Sequence, residues 1–139
     1  MQSAWVLVYP MAALVGFTLL FSCVMLFTRI NEVRRGRMSA RYFKTFTEGT
    51  PTPIVVKLSR HYNNLFELPV IYYATLLMMM ILGITSSAAV GFAWLFVAAR
   101  VAHAYIHVGS NKIVPRIFAF VLGWVAILGL WFQVLGYAS

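Results

Sequence analysis

The sequence predicts an all-α integral membrane protein, a bundle of four transmembrane helices with both termini on the outer side. Three observations carry that expectation. The 139-residue chain is 62% hydrophobic and only 10% charged, whereas ordinary soluble domains are about 25% charged. Its apolar residues fall into long uncharged stretches, and its basic residues cluster between them on one side. The whole chain, 1–139, therefore reads as a single membrane domain.

The first helix, about 4–28, carries no charge over 25 residues. As a helix it spans roughly 38 Å against a hydrocarbon core of about 30 Å, so it crosses with a tilt. It reads as a retained span and not a cleaved signal, because a basic start is missing and its apolar core exceeds the usual ~7–15 residues. Cys23 within it reads as a buried apolar filler.

A basic loop, 29–52, follows. Its first part, Arg29 to Lys44, either continues the first helix or lies at the interface. Thr50, Pro51, Thr52 and Pro53 then break the chain, with Thr52 placed to cap a second helix and Pro53 at its first position. That helix, about 53–83, is roughly 46 Å long, so its first turns stand proud of the hydrocarbon. Pro69 removes a helical hydrogen bond and bends it just beyond Glu67. Gly83, Thr85, Ser86, Ser87 and Gly91 mark a tight hairpin turn into a third helix, about 88–108. The last helix, about 117–137, is uncharged for 21 residues, about one crossing.

Charge sets the expected orientation. Arg29, Arg34, Arg35, Arg37, Arg41, Lys44, Lys57 and Arg60 face only Glu32 and Glu48 in the first loop region, and Lys112 and Arg116 lie in the other. The positive-inside rule places 29–60 and 109–116 in the cytoplasm. Topology and attraction to anionic lipid account for the net charge of +8 without nucleic acid. Trp5, Tyr9, Trp94, Trp131 and Tyr137 fit interfacial belts near the outer face.

Six polar residues then stand out: Arg60, Asn64 and Glu67 at the head of the second helix, and Arg100, His103 and His107 inside the third. Polar groups at membrane depth are rare and mark functional sites by default. At 100° per residue, Asn64 lies about 40° and Glu67 about 20° from Arg60, on opposite sides. His103 lies about 60° and His107 about 20° from Arg100, so each helix presents one polar face. Measured from the hairpin, Glu67 lies roughly 10 Å nearer the loop end than Arg100, which leaves their direct pairing open. The plain structural reading is that these groups only lock helices together, each interhelical bond contributing about 0.6 kcal/mol. No metal site is expected, since two histidines without a carboxylate shell fall short of the usual three or four ligands.

Arg60-x3-Asn64-x2-Glu67 followed by Pro69, with Arg100-x2-His103 further on, resembles the signature of the membrane-associated proteins in eicosanoid and glutathione metabolism, the MAPEG family. The resemblance runs from about Arg60 to Arg116 and implies a homotrimer that binds glutathione between subunits near the cytoplasmic face. In such proteins glutathione is a cosubstrate, conjugated to lipophilic electrophiles or used to isomerise or reduce lipid peroxides. By resemblance, Arg60, Asn64, Glu67, Arg100, His103 and His107 hold the glutathione. Glu67 suits its amino group and arginine its carboxylates. Arg116 matches the arginine that stabilises the thiolate, the reacting nucleophile.

The sequence departs from the pattern twice. His107 stands where eicosanoid-forming members carry tyrosine, and Ile117 where the prostaglandin-forming member carries a serine that some schemes make catalytic, which argues against prostaglandin synthesis. The chain is more similar to bacterial members, and an inner-membrane location is expected. Two functions follow as expectations: a glutathione-dependent transferase or peroxidase acting on apolar electrophiles, or a noncatalytic membrane subunit or lipid-binding module. In the second, the basic first loop with Phe43 and Phe46 is the partner or lipid surface.

Overall fold

The computed structural model describes residues 4–46 and 49–138. Glu48, one of the acidic residues counted against the basic loop, lies outside them. A 3-10 turn, Ala4–Leu7, leads into α1 (Val8–Arg34), followed by α2 (Tyr42–Thr45), α3 (Pro53–Asn64), α4 (Leu68–Ile81), α5 (Ser87–Val108) and α6 (Ile113–Ala138). No strand occurs among the described residues. Four stretches are long and apolar enough to cross a membrane: Ala4–Arg34, Pro53–Ile81, Ser87–Val108 and Ile113–Tyr137. This is the all-helical four-span architecture that the composition implies.

Helix ends follow local chemistry. α1 continues past Thr28 to Arg34 and is closed by Gly36 in the left-handed region, φ 66°. There Gly36 N–H donates to Val33 O at 2.9 Å and Arg37 N–H to Glu32 O at 3.0 Å, the paired bonds of a Schellman cap. α4 ends the same way, with Gly83 at φ 69° and Ile84 N–H donating to Met79 O at 2.8 Å. At the start of α5, Ser86 accepts a capping bond from Ala89 N–H at 3.0 Å, and its hydroxyl donates to Gln133 of α6 at 3.1 Å.

The second crossing departs from the continuous helix that a simple bend at Pro69 implies. It is interrupted between Asn64 and Leu68, because Pro69 has no N–H for the Leu65 carbonyl and its ring crowds that turn. Leu65 and Phe66 close α3 through bonds to His61, Tyr62 and Asn63 carbonyls, and Glu67 takes up φ −93°, ψ −91°. Pro53 does occupy the first turn of α3, but Thr52 makes no side-chain cap bond and its hydroxyl is buried without a partner among the described residues. Cys23 is exposed on the surface of α1 and is not the buried filler expected; the helix turns it away from its neighbours.

The main core lies toward the hairpin end, where Tyr72, Leu76 and Met79 of α4 meet Ala93 and Phe96 of α5 and Leu130 of α6. Tyr72 stacks on Phe96 with centroids 4.2 Å apart, and its hydroxyl donates to Ala93 O at 3.2 Å. A phenol within lipid needs such an acceptor, since no water is there to supply one. α5 and α6 approach so closely that a Cβ built on Gly129 falls 2.6 Å from the Phe92 ring. A smaller cluster of Phe21, Met25, Leu58 and Leu65 ties α1 to α3, below the polar residues at the opposite end.

Candidate functional site

α3 brings Arg60 and Asn64, α5 brings His103 and His107, and α6 brings Arg116 to one cavity of about 280 Å³. Ile117 and Phe120 form its apolar wall. The periodicity of each helix explains the grouping: residues four apart lie one above the other on a face. Among the lining residues two are guanidiniums, two imidazoles and one an amide, with no carboxylate, so the cavity is chemically suited to an anion.

Arg100 and Glu67 do not line it. Arg100 is fully buried behind the cavity, where its Nη2 donates to Asn64 Oδ1 and to Asn64 O at 3.1 Å. Its Nη1 lies 3.5 Å from His103 Nδ1. Glu67 is exposed and accepts a bond from Asn64 Nδ2 at 2.9 Å. Among the described residues the only ion pair is Arg37 with Glu32, so Arg100 and Glu67 communicate through Asn64. An amide can do both, its Nδ2 donating to the carboxylate while its Oδ1 accepts from the guanidinium.

Arg116 is held by its own loop. Its Nη1 donates to Asn111 Oδ1 at 2.8 Å, and Asn111 sits in the left-handed region at φ 51°. Asparagine tolerates that conformation better than most residues. Lys57 Nζ donates to Gly109 O at 3.4 Å, fastening α3 to the end of α5.

Two residues here escape a sequence reading. Asn111 is one; its only signal is an Asn just past a helix end. The other is His61, fully buried, with ring centroids 5.5 Å from both His103 and His107 and 4.8 Å from Phe21. Helical spacing turns His61 about 100° from Arg60, so it packs inward toward α5 and joins a three-imidazole cluster. Neither of its nitrogens has a hydrogen-bond partner among the described residues. Among those residues no group of His, Cys, Asp or Glu is arranged to hold a metal ion.

Fold and site together define a small polytopic membrane protein with a cation-lined cavity at one end of its bundle. The chain belongs to the MAPEG family, whose sequence profile matches residues 7–136, nearly its whole length. A comparison with curated proteins gives no match.

Proposed function

We propose that the protein is a glutathione-dependent transferase or peroxidase acting on lipophilic electrophiles, with glutathione bound in the cavity of Arg60, Asn64, His103, His107 and Arg116. The observation that carries this reading is the wholly cationic charged lining of a cavity whose remaining wall, Ile117 and Phe120, is apolar. An anionic peptide and an apolar second substrate meet where such a boundary lies. Family membership supports the reading, since glutathione is the cosubstrate the family resemblance implies.

In this scheme Arg60 takes a glutathione carboxylate through a planar fork matched to it. Arg116, steadied by Asn111, faces the sulfur and favours the thiolate. The thiolate then forms a bond to an electrophilic carbon as the leaving group departs with its electron pair. His103 and His107 donate hydrogen bonds to the bound peptide, and Arg100 acts through Asn64. Glu67, exposed toward the loop end of the second crossing, suits the glutathione amino group contributed across a subunit boundary. Its carboxylate, bonded to Asn64 and outside the cavity lining, is available to a neighbouring copy, which favours assembly as a homotrimer. The basic segments 29–60 and 109–116, which include the end of α1 and the first turns of α3 and α6, then lie in the cytoplasm, by the positive-inside rule, as in a bacterial inner membrane.

The test mixes purified protein with glutathione and follows the ultraviolet thiolate band and conjugation of a chloronitrobenzene. Arg116→Ala is expected to abolish the band while leaving the oligomer intact; absence of both a band and glutathione affinity in the unmodified protein overturns the assignment. A second reading, a noncatalytic subunit or lipid-binding module, draws on one observation: Arg100 and Asn64 bond α5 to α3. There Glu67→Gln disturbs assembly more than ligand binding. A stable assembled Glu67→Gln protein that has lost glutathione contradicts it.

A further inference from the structure

A second concavity, of about 460 Å³, lies on the outer side of α1 at the same end of the bundle. Its floor is the α1 stripe Leu26, Arg29, Ile30, Val33 and Arg34, successive members of one helical face. Its flap is the loop after α1, folded back so that Phe43 and Phe46 face that stripe. Leu26 and Phe46 are more than half exposed, and among the described residues no acidic side chain lines the groove.

Polarity changes along the groove. Leu26 and Arg34 are about 12 Å apart along the helix axis, apolar at the end nearer the membrane centre and cationic at the end nearer the loop. Arg29 is placed between them: its Nη2 donates to Ser59 Oγ at 2.8 Å, its guanidinium lies 5.2 Å over the Phe43 ring, and its Nε is buried without a partner among the described residues. Arg34 is exposed and makes no hydrogen bond or ion pair among those residues. Glu32, the nearest carboxylate in sequence, is buried and already paired with Arg37.

We infer that this groove is a binding site for an anionic phospholipid of the leaflet on the basic-loop side. One acyl chain lies along Leu26, Ile30 and Val33 beneath Phe43 and Phe46, and the phosphate is held by Arg29 and Arg34. Charge complementarity selects the occupant. Between Arg29 and Lys44 the chain carries six basic residues against Glu32 alone, so the same basic segment of a second copy meets repulsion there. An anionic lipid supplies both the missing negative charge and an apolar chain of matching direction. The site is separate from the glutathione cavity and shares no lining residue with it.

The test uses the full-length protein, stripped of lipid in mild detergent. It measures thermal stability and, by native mass spectrometry, lipid retention on adding phosphatidylglycerol, phosphatidylcholine with the same chains, or inorganic phosphate. Phosphatidylglycerol is expected to be retained saturably and to raise the unfolding temperature, while the other two do neither. Arg34→Gln, which removes a charge with no partner among the described residues, is expected to weaken retention about fivefold, the size of one arginine's attraction to an anionic lipid. Arg41→Gln, outside the groove lining, leaves retention within twofold. Equal retention of the two lipids, reproduction of the shift by inorganic phosphate, or retention unchanged by Arg34→Gln overturns the proposal. A change in oligomer size with Arg34→Gln and no lipid effect overturns it too, assigning the groove to a second copy.

Discussion

Replacing Asn64 by leucine tests whether the amide is the link between α3 and α5. The substitution keeps the branched, four-heavy-atom shape of the side chain and removes two bonds, the one Asn64 accepts from Arg100 and the one it donates to Glu67. The Glu67 bond is exposed and contributes little. The Arg100 bond is different, because the guanidinium is fully buried and afterwards keeps only the Asn64 carbonyl at 3.1 Å and the distant His103 nitrogen at 3.5 Å. Hydrogen bonds to a charged group contribute about 1.5–3 kcal/mol, whereas an ordinary interhelical bond in a membrane protein averages about 0.6. The expected loss for Asn64→Leu is therefore about 2 kcal/mol. Arg100→Met removes the charge that needs the amide, so in its presence Asn64→Leu is expected to cost less than about 0.5 kcal/mol. Equilibrium unfolding in mixed detergent micelles, followed by tryptophan fluorescence, gives all four corners of the cycle. Single losses that simply add, within about 0.5 kcal/mol, would refute the coupling and with it the role of Asn64 as the link.

Further outcomes follow from particular contacts. His61→Leu is expected to leave stability unchanged or raised, because it removes two buried nitrogens without partners among the described residues, each costing about 1–3 kcal/mol when unsatisfied. A loss beyond about 1.5 kcal/mol, the usual ceiling for volume-conserving swaps, shows that those nitrogens do have a partner. Gly129→Ala places a Cβ 2.6 Å from the Phe92 ring, and overpacking of that kind costs about 1–3 kcal/mol. Gly91→Ala on α5, where a Cβ meets nothing within 4 Å, serves as the control; equal unfolding temperatures for the two variants contradict close α5–α6 packing at Phe92. Asn111→Gly preserves the left-handed backbone while deleting the anchor of Arg116. Glutathione affinity and the thiolate band are expected to fall roughly three- to tenfold with little change in stability; an unchanged band shows that Arg116 needs no support from the loop.

Much of the architecture was legible in the chain because lipid imposes a simple demand: a crossing must be helical, long enough and nearly free of charge. Gly83 ended the second crossing and Ser86 opened the third, as turn chemistry requires. The interruption at Leu65–Glu67 was less legible. Pro69 announces a lost hydrogen bond, but whether a helix bends or breaks there depends on what the neighbouring helices hold in place. The polar residues showed the same division. Helical spacing put Arg60 and Asn64 on one face and His103 and His107 on another. It could not say that Arg100 turns inward to Asn64 or that Glu67 stays outside the cavity. Cys23 went astray for a related reason: in a span apolar all round, hydrophobicity does not distinguish the packed side from the exposed one.

By itself, then, the sequence determined the number of crossings, the loops that carry the positive charge and the residues that are unusually polar for an apolar span. These depend on composition and local spacing, which act along one helix at a time. The tertiary structure decided which of those residues share a cavity, that Asn64 stands between Arg100 and Glu67, and that His61 joins His103 and His107. It also decided that the loop after α1 folds back over Leu26 and Ile30 to make a groove. Those outcomes depend on how α3, α5 and α6 rotate about their axes and how closely they approach, and only packing between helices sets rotation and approach.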